Sequence, residues 1–189
     1  HNTVPLAIAD FGMSEEAKNS LKSSYHPALF CHMDCKVKEG IKGWFGKPMA
    51  MLKAPGKKCF WIDTDCEVLG NIDKMFNYIE PNKLTMAIDR PWLKRRKEEW
   101  FNSGVVGFYQ KPDILKQWTE QVGASPDVGD QEVLHKMLNP ITRMTYIKEL
   151  PNEYNWLRLQ VEHDDEPATN AKIMHWTGEK GNDRIRGKM

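Results

Sequence analysis

Residues 59–65 read Cys-Phe-Trp-Ile-Asp-Thr-Asp, four apolar side chains followed at once by two aspartates. The apolar run has the length of a strand, and it would be buried on both faces inside a parallel sheet. Asp63 and Asp65 are two positions apart, so both carboxylates leave the strand end toward the same side. The stretch therefore predicts two carboxylates that address one point at the edge of a sheet.

Two carboxylates at one point favour a bound cation. Like charges this close repel each other, and a divalent ion keeps both groups ionised near neutral pH. Oxygen ligands select Mg²⁺ or Mn²⁺ rather than a thiolate-binding metal. The alternative is a turn in which an aspartate caps the backbone, and the motif alone does not decide between the two.

Strands and helices alternate on both sides of this stretch. Apolar runs predict strands at residues 4–10, 28–33, 84–88, 104–109, 144–150 and 172–176, in addition to 59–62. Helical spacing and capping residues predict helices at residues 14–24, 48–52, 72–79, 113–122 and 130–138. This order predicts a three-layer α/β/α architecture with a mostly parallel mixed sheet, in which ligands bind beyond the carboxyl ends of the strands.

Composition limits the class of protein. The 189 residues suit one compact domain over the whole chain, and 27 basic against 26 acidic residues leave a net charge of +1. That balance gives no general attraction for nucleic acid or an anionic membrane. No apolar run approaches the ~20 residues of a membrane span, and no signal peptide is recognisable, so a cytoplasmic location is expected.

The cysteines and two charged runs are explained without a functional role. Four cysteines in a chain of this length predict free thiols, and the spacing of Cys31 and Cys35 is not that of a zinc pair. Residues 94–99 predict a solvated face, with a loop on the acceptor side as the alternative. Residues 163–166 predict an exposed polar loop rather than a metal site.

A second polar group follows the last predicted strand. His175 stands at its end, and Gly178 and Lys180 come next. An imidazole ligand, a close backbone approach and a cation for phosphate suit a nucleotide site, although each residue alone is more often structural.

Amide and acidic side chains lie between these two groups. Asn102 begins a strand, and Asp130 and Gln131 begin a helix. Such side chains hydrogen-bond sugar hydroxyls. For Asp130, capping of the helix is an equally good interpretation.

Taken in order, these pieces resemble glycosyltransferase family 8, whose members have the GT-A fold. The matching stretches are residues 60–72, 101–108, 129–134, 150–156 and 175–180, so the resemblance covers most of the chain from about residue 43 onward. It implies transfer of a sugar, with retention of anomeric configuration, from a nucleotide diphosphate donor of the UDP-sugar type. The acceptor would be a glycan, a lipid or a protein.

The resemblance also implies roles for individual residues. The cofactor would be Mn²⁺ or Mg²⁺, with the protein ligands Asp63, Asp65 and His175. Phosphate contacts would come from Lys180, Gly178 and Lys47. The donor sugar would be bound by Asn102, Asp89 and Asp130. Gln131 would lie beside the anomeric carbon, and attack from the front face is the expected mechanism, with Asp130 as the alternative nucleophile.

Two departures from the family pattern leave alternatives open. The first strand and helix of the family, which grip the base, are not found before residue 4, so the domain is expected to be incomplete at its N-terminus. The family continues Gly-x-x-Lys-Pro-Trp, whereas residues 181–183 here are Gly-Asn-Asp. The alternatives are a catalytically inactive remnant that binds sugar or nucleotide, and a haloacid dehalogenase-type phosphatase, whose pattern lacks support because Glu67 replaces its Thr or Val. A homo-oligomer stays open.

Overall fold

The computed structural model describes residues 2–24, 28–33, 46–125 and 127–187, apart from the side chains of Ala28, Glu179, Lys180, Asn182 and Arg186. Its strands are β1 Leu6–Asp10, β2 Ala28–His32, β3 Lys58–Ile62, β4 Cys66–Val68, β5 Leu84–Ile88, β6 Phe101–Tyr109, β7 Ile147–Glu149, β8 Trp156–Leu157 and β9 Ile173–His175. Its α-helices are α1 Glu15–Ser24, α2 Gly46–Leu52, α3 Arg90–Arg96, α4 Asp113–Ala124, α5 Asp130–Met137, α6 Pro140–Tyr146, α7 Arg158–His163 and α8 Glu179–Arg186. Two 3₁₀ helices span Asp73–Tyr78 and Asn152–Tyr154.

The described strands form a central sheet and two smaller ones. The central order is β3-β6-β5-β7, with β6 antiparallel to both neighbours and β5 parallel to β7. β1 pairs with β2 in parallel, and β9 lies between an antiparallel β4 and a parallel β8. The predicted α/β architecture with a mixed sheet is confirmed. The expected majority of parallel pairs is not observed among the described strands, because an apolar run reads the same in either strand direction.

Most predicted elements are present with shifted ends, and one segment was assigned to the wrong class. Residues 144–146 were predicted as strand but lie in α6, and only β7 remains of that strand. The helix is favoured because Asn139 Oδ1 accepts hydrogen bonds from the backbone N–H groups of Ile141 and Thr142, and Pro140 occupies the first turn. The short elements β4, β8, α3, α7 and α8 were not predicted.

The core packs on both faces of β6. Val106 and Phe108 point into a cluster with α4 and α5 that includes Trp118, and Val105 points into a second cluster with Leu150. Alternation along the strand sends its side chains to opposite faces. The first residues of β6 therefore lie at the edge of two apolar layers.

Several expectations fall on the surface or outside the described residues. Residues 94–99 are exposed, as expected for a solvated face, and Lys94 pairs with Asp164 at 3.2 Å. Cys31, Cys59 and Cys66 are free thiols, while Cys35 lies outside the described residues. Within the described part of the chain, no helix combines the length and apolar character needed to cross a bilayer.

Trp118 is expected to be the most costly core side chain to truncate. It is fully buried, and its Nε1 donates to the Asp130 carbonyl at 2.9 Å. Trp118→Ala should lower the free energy of unfolding by ~3–5 kcal/mol in denaturant titrations. The control Met144→Ala removes a side chain that is 80% exposed, and it should stay within ~0.5 kcal/mol of the parent. Equal effects of the two substitutions would contradict this core.

Candidate metal and donor site

The loop after β3 meets β9 through the pairing of β4. Cys66 of β4 is opposite His175 of β9, and Trp176 N donates to the Asp65 carbonyl at 2.9 Å. Two residues far apart in sequence are therefore brought side by side. Asp65 Oδ1 lies 3.2 Å from His175 Nε2.

These two side chains have the properties of metal ligands. His175 is buried, and Asp65 Oδ1 is a buried oxygen that has no hydrogen-bond partner among the described residues. Buried polar atoms are seldom left without a partner, so this oxygen fits a cation ligand. Burial raises the pKa of Asp65, but the adjacent His175 imidazole outweighs it, and the pKa falls below its usual value. Asp65 is therefore ionised at neutral pH.

Cys66 completes a group of three ligand atoms within 4.8 Å of one another, together with Asp65 and His175. Burial raises the pKa of the Cys66 thiol well above its usual value, and the charges of Asp63 and Asp65 add to this effect. A protonated thiol is a poor ligand. Without a bound ion the thiol is protonated, and the carboxylate and the imidazole form a set suited to Mn²⁺ or Mg²⁺ more than to a thiolate-binding ion.

The third predicted metal ligand, Asp63, faces a different partner. Its Oδ2 lies 2.8 Å from Lys47 Nζ, and its Oδ1 accepts a hydrogen bond from Trp61 Nε1. Burial raises the pKa of Asp63 although Lys47 opposes the shift. A ligand role for Asp63 stays a prediction, and in this structure its carboxylate is bound to the protein's own cation.

Lys47 joins the predicted metal side to the predicted sugar side. Its Nζ lies 3.2 Å from Asp130 Oδ2, in addition to Asp63, and it donates to Ser103 Oγ at 3.2 Å. Burial alone lowers the pKa of Lys47, but the two carboxylates outweigh it and raise the pKa above its usual value. The ammonium stays charged, and its donors are directed at protein acceptors. Its phosphate contact therefore stays a prediction.

The predicted sugar-binding residues form one network. Asp89 Oδ2 accepts hydrogen bonds from Asn102 Nδ2 and Gln131 Nε2, both at 3.2 Å. Gln131 Oε1 in turn accepts from Ser103 N at 3.1 Å. Asp89 also caps α3, because its Oδ1 accepts from Trp92 N at 3.0 Å. The structure thus brings together side chains from three separate elements, and their sugar-binding role stays a prediction.

Asp130 is placed by the start of α5. The helix begins after Gly129, which makes no side-chain cap, and the Asp130 carboxylate is directed at Lys47. The ion pair, rather than capping, is therefore the role that the contacts of this side chain support.

Two residues of the site were not singled out by sequence reasoning as functional. Asn155 Oδ1 lies 3.0 Å from His175 Nδ1, and Asn155 Nδ2 donates to Asn102 Oδ1 at 3.0 Å. Gly104 provides space for the ring, since a Cβ at this position would lie 2.0 Å from His175 Cε1. Both contacts depend on strand register, for which the sequence carries no local signal.

The predicted phosphate residues after β9 are only partly described. Gly178 precedes α8 with a φ of +83°, a left-handed backbone that favours glycine. The side chain of Lys180 lies outside the described residues. The phosphate role of both residues stays a prediction.

Comparisons with known proteins agree with the fold. No family model matches the chain. Glycogenin-1 of Oryctolagus cuniculus is 31% identical over 129 residues, which cover 65% of this chain and 36% of that protein. The galactosyltransferase LgtC, solved with donor and acceptor sugar analogs, superposes with a TM-score of 0.63 at 15% identity, covering 92% of this chain and 76% of that one. A glycosyltransferase involved in glycosylation of the major capsid of PBCV-1 superposes with a TM-score of 0.59 at 16% identity, covering 97% of this chain and 100% of that one.

The described chain therefore has the GT-A fold of glycosyltransferases. Its sequence is similar to that of glycogenin-1, at 31% identity for the rabbit protein and 33% for the mouse protein, over 65% and 64% of this chain. The chain spans about a third of the length of these curated relatives, 36% of the rabbit protein and 34% of the human one. The fold removes the support for a haloacid dehalogenase-type phosphatase, which depended on the order of strand and aspartates alone.

Removal of the buried Lys47 ammonium should destabilise the folded protein. In Lys47→Met the carboxylates of Asp63 and Asp130 face each other without a cation, so the free energy of unfolding should fall by ~3–5 kcal/mol at neutral pH. Burial already raises the pKa of Asp63, and loss of Lys47 should raise it further, so the folded state binds more protons than the unfolded state. The loss should therefore grow as pH rises and shrink as pH falls.

The matched control is Lys111→Met, which removes a lysine whose Nζ donates to the carbonyls of Met51 and Ala54 at 3.1 and 2.7 Å. This substitution should lower the free energy of unfolding by no more than ~2 kcal/mol, and the loss should not shrink as the pH falls. Denaturant titrations across pH measure both variants. A Lys47→Met loss that does not change with pH would contradict the three-charge arrangement.

Proposed function

We propose that this chain is a metal-dependent glycosyltransferase, in which Asp65 and His175 hold Mn²⁺ or Mg²⁺ at the donor diphosphate. The donor would be a nucleotide sugar of the UDP type, and the product would retain the anomeric configuration. The acceptor would be a glycan, a lipid or a protein. The observation that carries this proposal is the approach of Asp65 Oδ1 to His175 Nε2, at 3.2 Å, within a GT-A fold.

The charges of the site suit a diphosphate leaving group. A bound divalent cation would offset the negative charge that develops on the diphosphate as the glycosidic bond breaks. Asp65 is ionised and His175 is buried beside it, so both ligands are held in place before the donor binds. Lys47 would contribute indirectly, because its ammonium pairs with the carboxylates of Asp63 and Asp130 rather than with the donor diphosphate.

The amide and acidic network would bind the donor sugar. Asp89, Asn102 and Gln131 present hydrogen-bonding groups from three elements, and each is oriented by another member of the network. Such preorganised groups hold sugar hydroxyls without loss of side-chain freedom at the moment of binding. We assign Gln131 to the region of the anomeric carbon.

The surroundings of Asp130 favour front-face attack over a covalent intermediate. Its carboxylate is buried and paired with the Lys47 ammonium, and a carboxylate held by a cation is a weaker nucleophile. The acceptor hydroxyl would then attack from the side of the leaving diphosphate, and the released oxygen would take its proton.

The alternative is a domain that binds sugar or nucleotide without turnover. Calorimetry distinguishes metal-linked binding from its absence, and release of sugar from UDP-sugars distinguishes turnover from binding. UDP that binds in the presence of Mn²⁺ without any sugar release across a donor panel would favour the inactive alternative.

Affinity for UDP is expected to depend on Mn²⁺ and on Asp65. Asp65→Asn keeps the shape of the side chain but removes its charge, so it should weaken Mn²⁺-dependent UDP binding by at least about tenfold. The control Asp113→Asn makes the same change at a carboxylate that is 80% exposed and should leave affinity unchanged. An affinity for UDP that changes neither with Mn²⁺ nor in Asp65→Asn would contradict the proposal.

A further inference from the structure

A chain of hydrogen bonds that ends at His175 begins at a donor of fixed polarity. The backbone N–H of Gly104 can only donate, and it lies 2.9 Å from Asn102 Oδ1. The oxygen of that amide must therefore face Gly104. Its Nδ2 then donates to the Asp89 carboxylate at 3.2 Å, which is consistent with the same orientation. Asn102 Oδ1 is thus fixed as an acceptor.

That acceptor fixes the next amide in turn. Asn155 places Nδ2 at 3.0 Å from Asn102 Oδ1, because only its NH₂ group can donate there. The remaining amide atom, Asn155 Oδ1, faces His175 Nδ1 at 3.0 Å. An amide oxygen only accepts, so His175 Nδ1 must carry a proton. In the neutral ring Nε2 then has a free electron pair, directed at Asp65 Oδ1.

We propose that Asn155, oriented by Asn102 and the Gly104 backbone, is a positioning residue that holds His175 in the Nδ1–H tautomer. The inference takes the identity of the cation from the proposed function, but the tautomer itself follows from the hydrogen bonds alone. Asn155 would act on the metal only through the ring of His175.

The choice of tautomer decides what the Asp65–His175 pair can bind. With the proton on Nε2, the imidazole would donate to Asp65 Oδ1, and the pair would be closed by its own hydrogen bond. With Nδ1 protonated, the ring can donate to the ionised Asp65 only through a second proton on Nε2, and a divalent cation can take the place of that proton between the two atoms. Asn155 is fully buried and His175 is 4% exposed, so water does not compete readily for these contacts.

The test is the protonation pattern of the ring in metal-free protein. Long-range ¹H–¹⁵N correlation spectra, recorded above the ordinary imidazole pKa of ~6.5, distinguish protonated from bare ring nitrogens. His175→Gln identifies the signals of His175. We expect a proton on Nδ1 throughout, and a bare Nε2 wherever the ring carries a single proton. A singly protonated ring with its proton on Nε2 would overturn the inference, whatever the protein binds.

Variants at Asn155 test its part in the chain of hydrogen bonds that runs from Gly104 to His175. Asn155→Leu removes the acceptor, so it should release the tautomer and weaken Mn²⁺ binding about 10- to 100-fold in calorimetry with the metal alone. Asn155→Asp keeps an acceptor and should keep the proton on Nδ1. The control Thr85→Val removes another buried hydrogen bond, to the Tyr78 carbonyl at 3.3 Å, and should change neither readout.

The outcomes separate this inference from the proposed function. An Asn155→Leu protein that keeps both the Nδ1 proton and its Mn²⁺ affinity would overturn the role of Asn155. Wild-type protein that has the Nδ1 proton but binds Mn²⁺ neither alone nor with UDP would confirm the orientation of His175 and overturn metal-dependent transfer. If Asn155→Leu does not fold, the wild-type spectrum still decides the tautomer.

Discussion

One buried ammonium, that of Lys47, lies between the carboxylates of Asp63 and Asp130. Through these contacts it connects α2, the end of β3 and the start of α5. Each of the three charges would be costly to bury alone, and each is acceptable because the others are present. The distance between the predicted metal side and the predicted sugar side is therefore set by a cation that belongs to the protein. The neighbouring Asp65–His175 pair feels these charges, since Lys47 also lowers the pKa of Asp65 and His175 lowers that of Asp63, so the two groups form one electrostatic unit.

Strand β6 serves both the core and the site. Its first residues include Asn102, Ser103 and Gly104, which contact the site, and its later residues include Val106 and Phe108, which lie in the core. A strand that is packed on both faces moves little, so the polar groups at its start keep their positions. The hydrogen bonds that orient His175 originate at this strand.

The sequence predicted the order of the main elements, and several candidate site residues that it singled out lie close together, but it did not predict their contacts. Asp63, Asp65 and His175 were identifiable because each follows an apolar run, and strand ends are where ligands bind in such folds. The short strands β4 and β8 were not identifiable, because two or three residues carry no periodicity. Their pairing with β9 places Asp65 and Asn155 beside His175. The partner of Asp63 could not be predicted, because the charge balance around Lys47 depends on packing between α2 and α5.

The pairing of β4 with β9 has a consequence for the order of events during synthesis. Asp65 is synthesised well before His175, and their contact needs both strands in place. Until β9 is made, a nascent chain has its aspartates but not this imidazole. Tight capture of a divalent ion by the pair would therefore follow formation of the β4–β9 pairing rather than precede it.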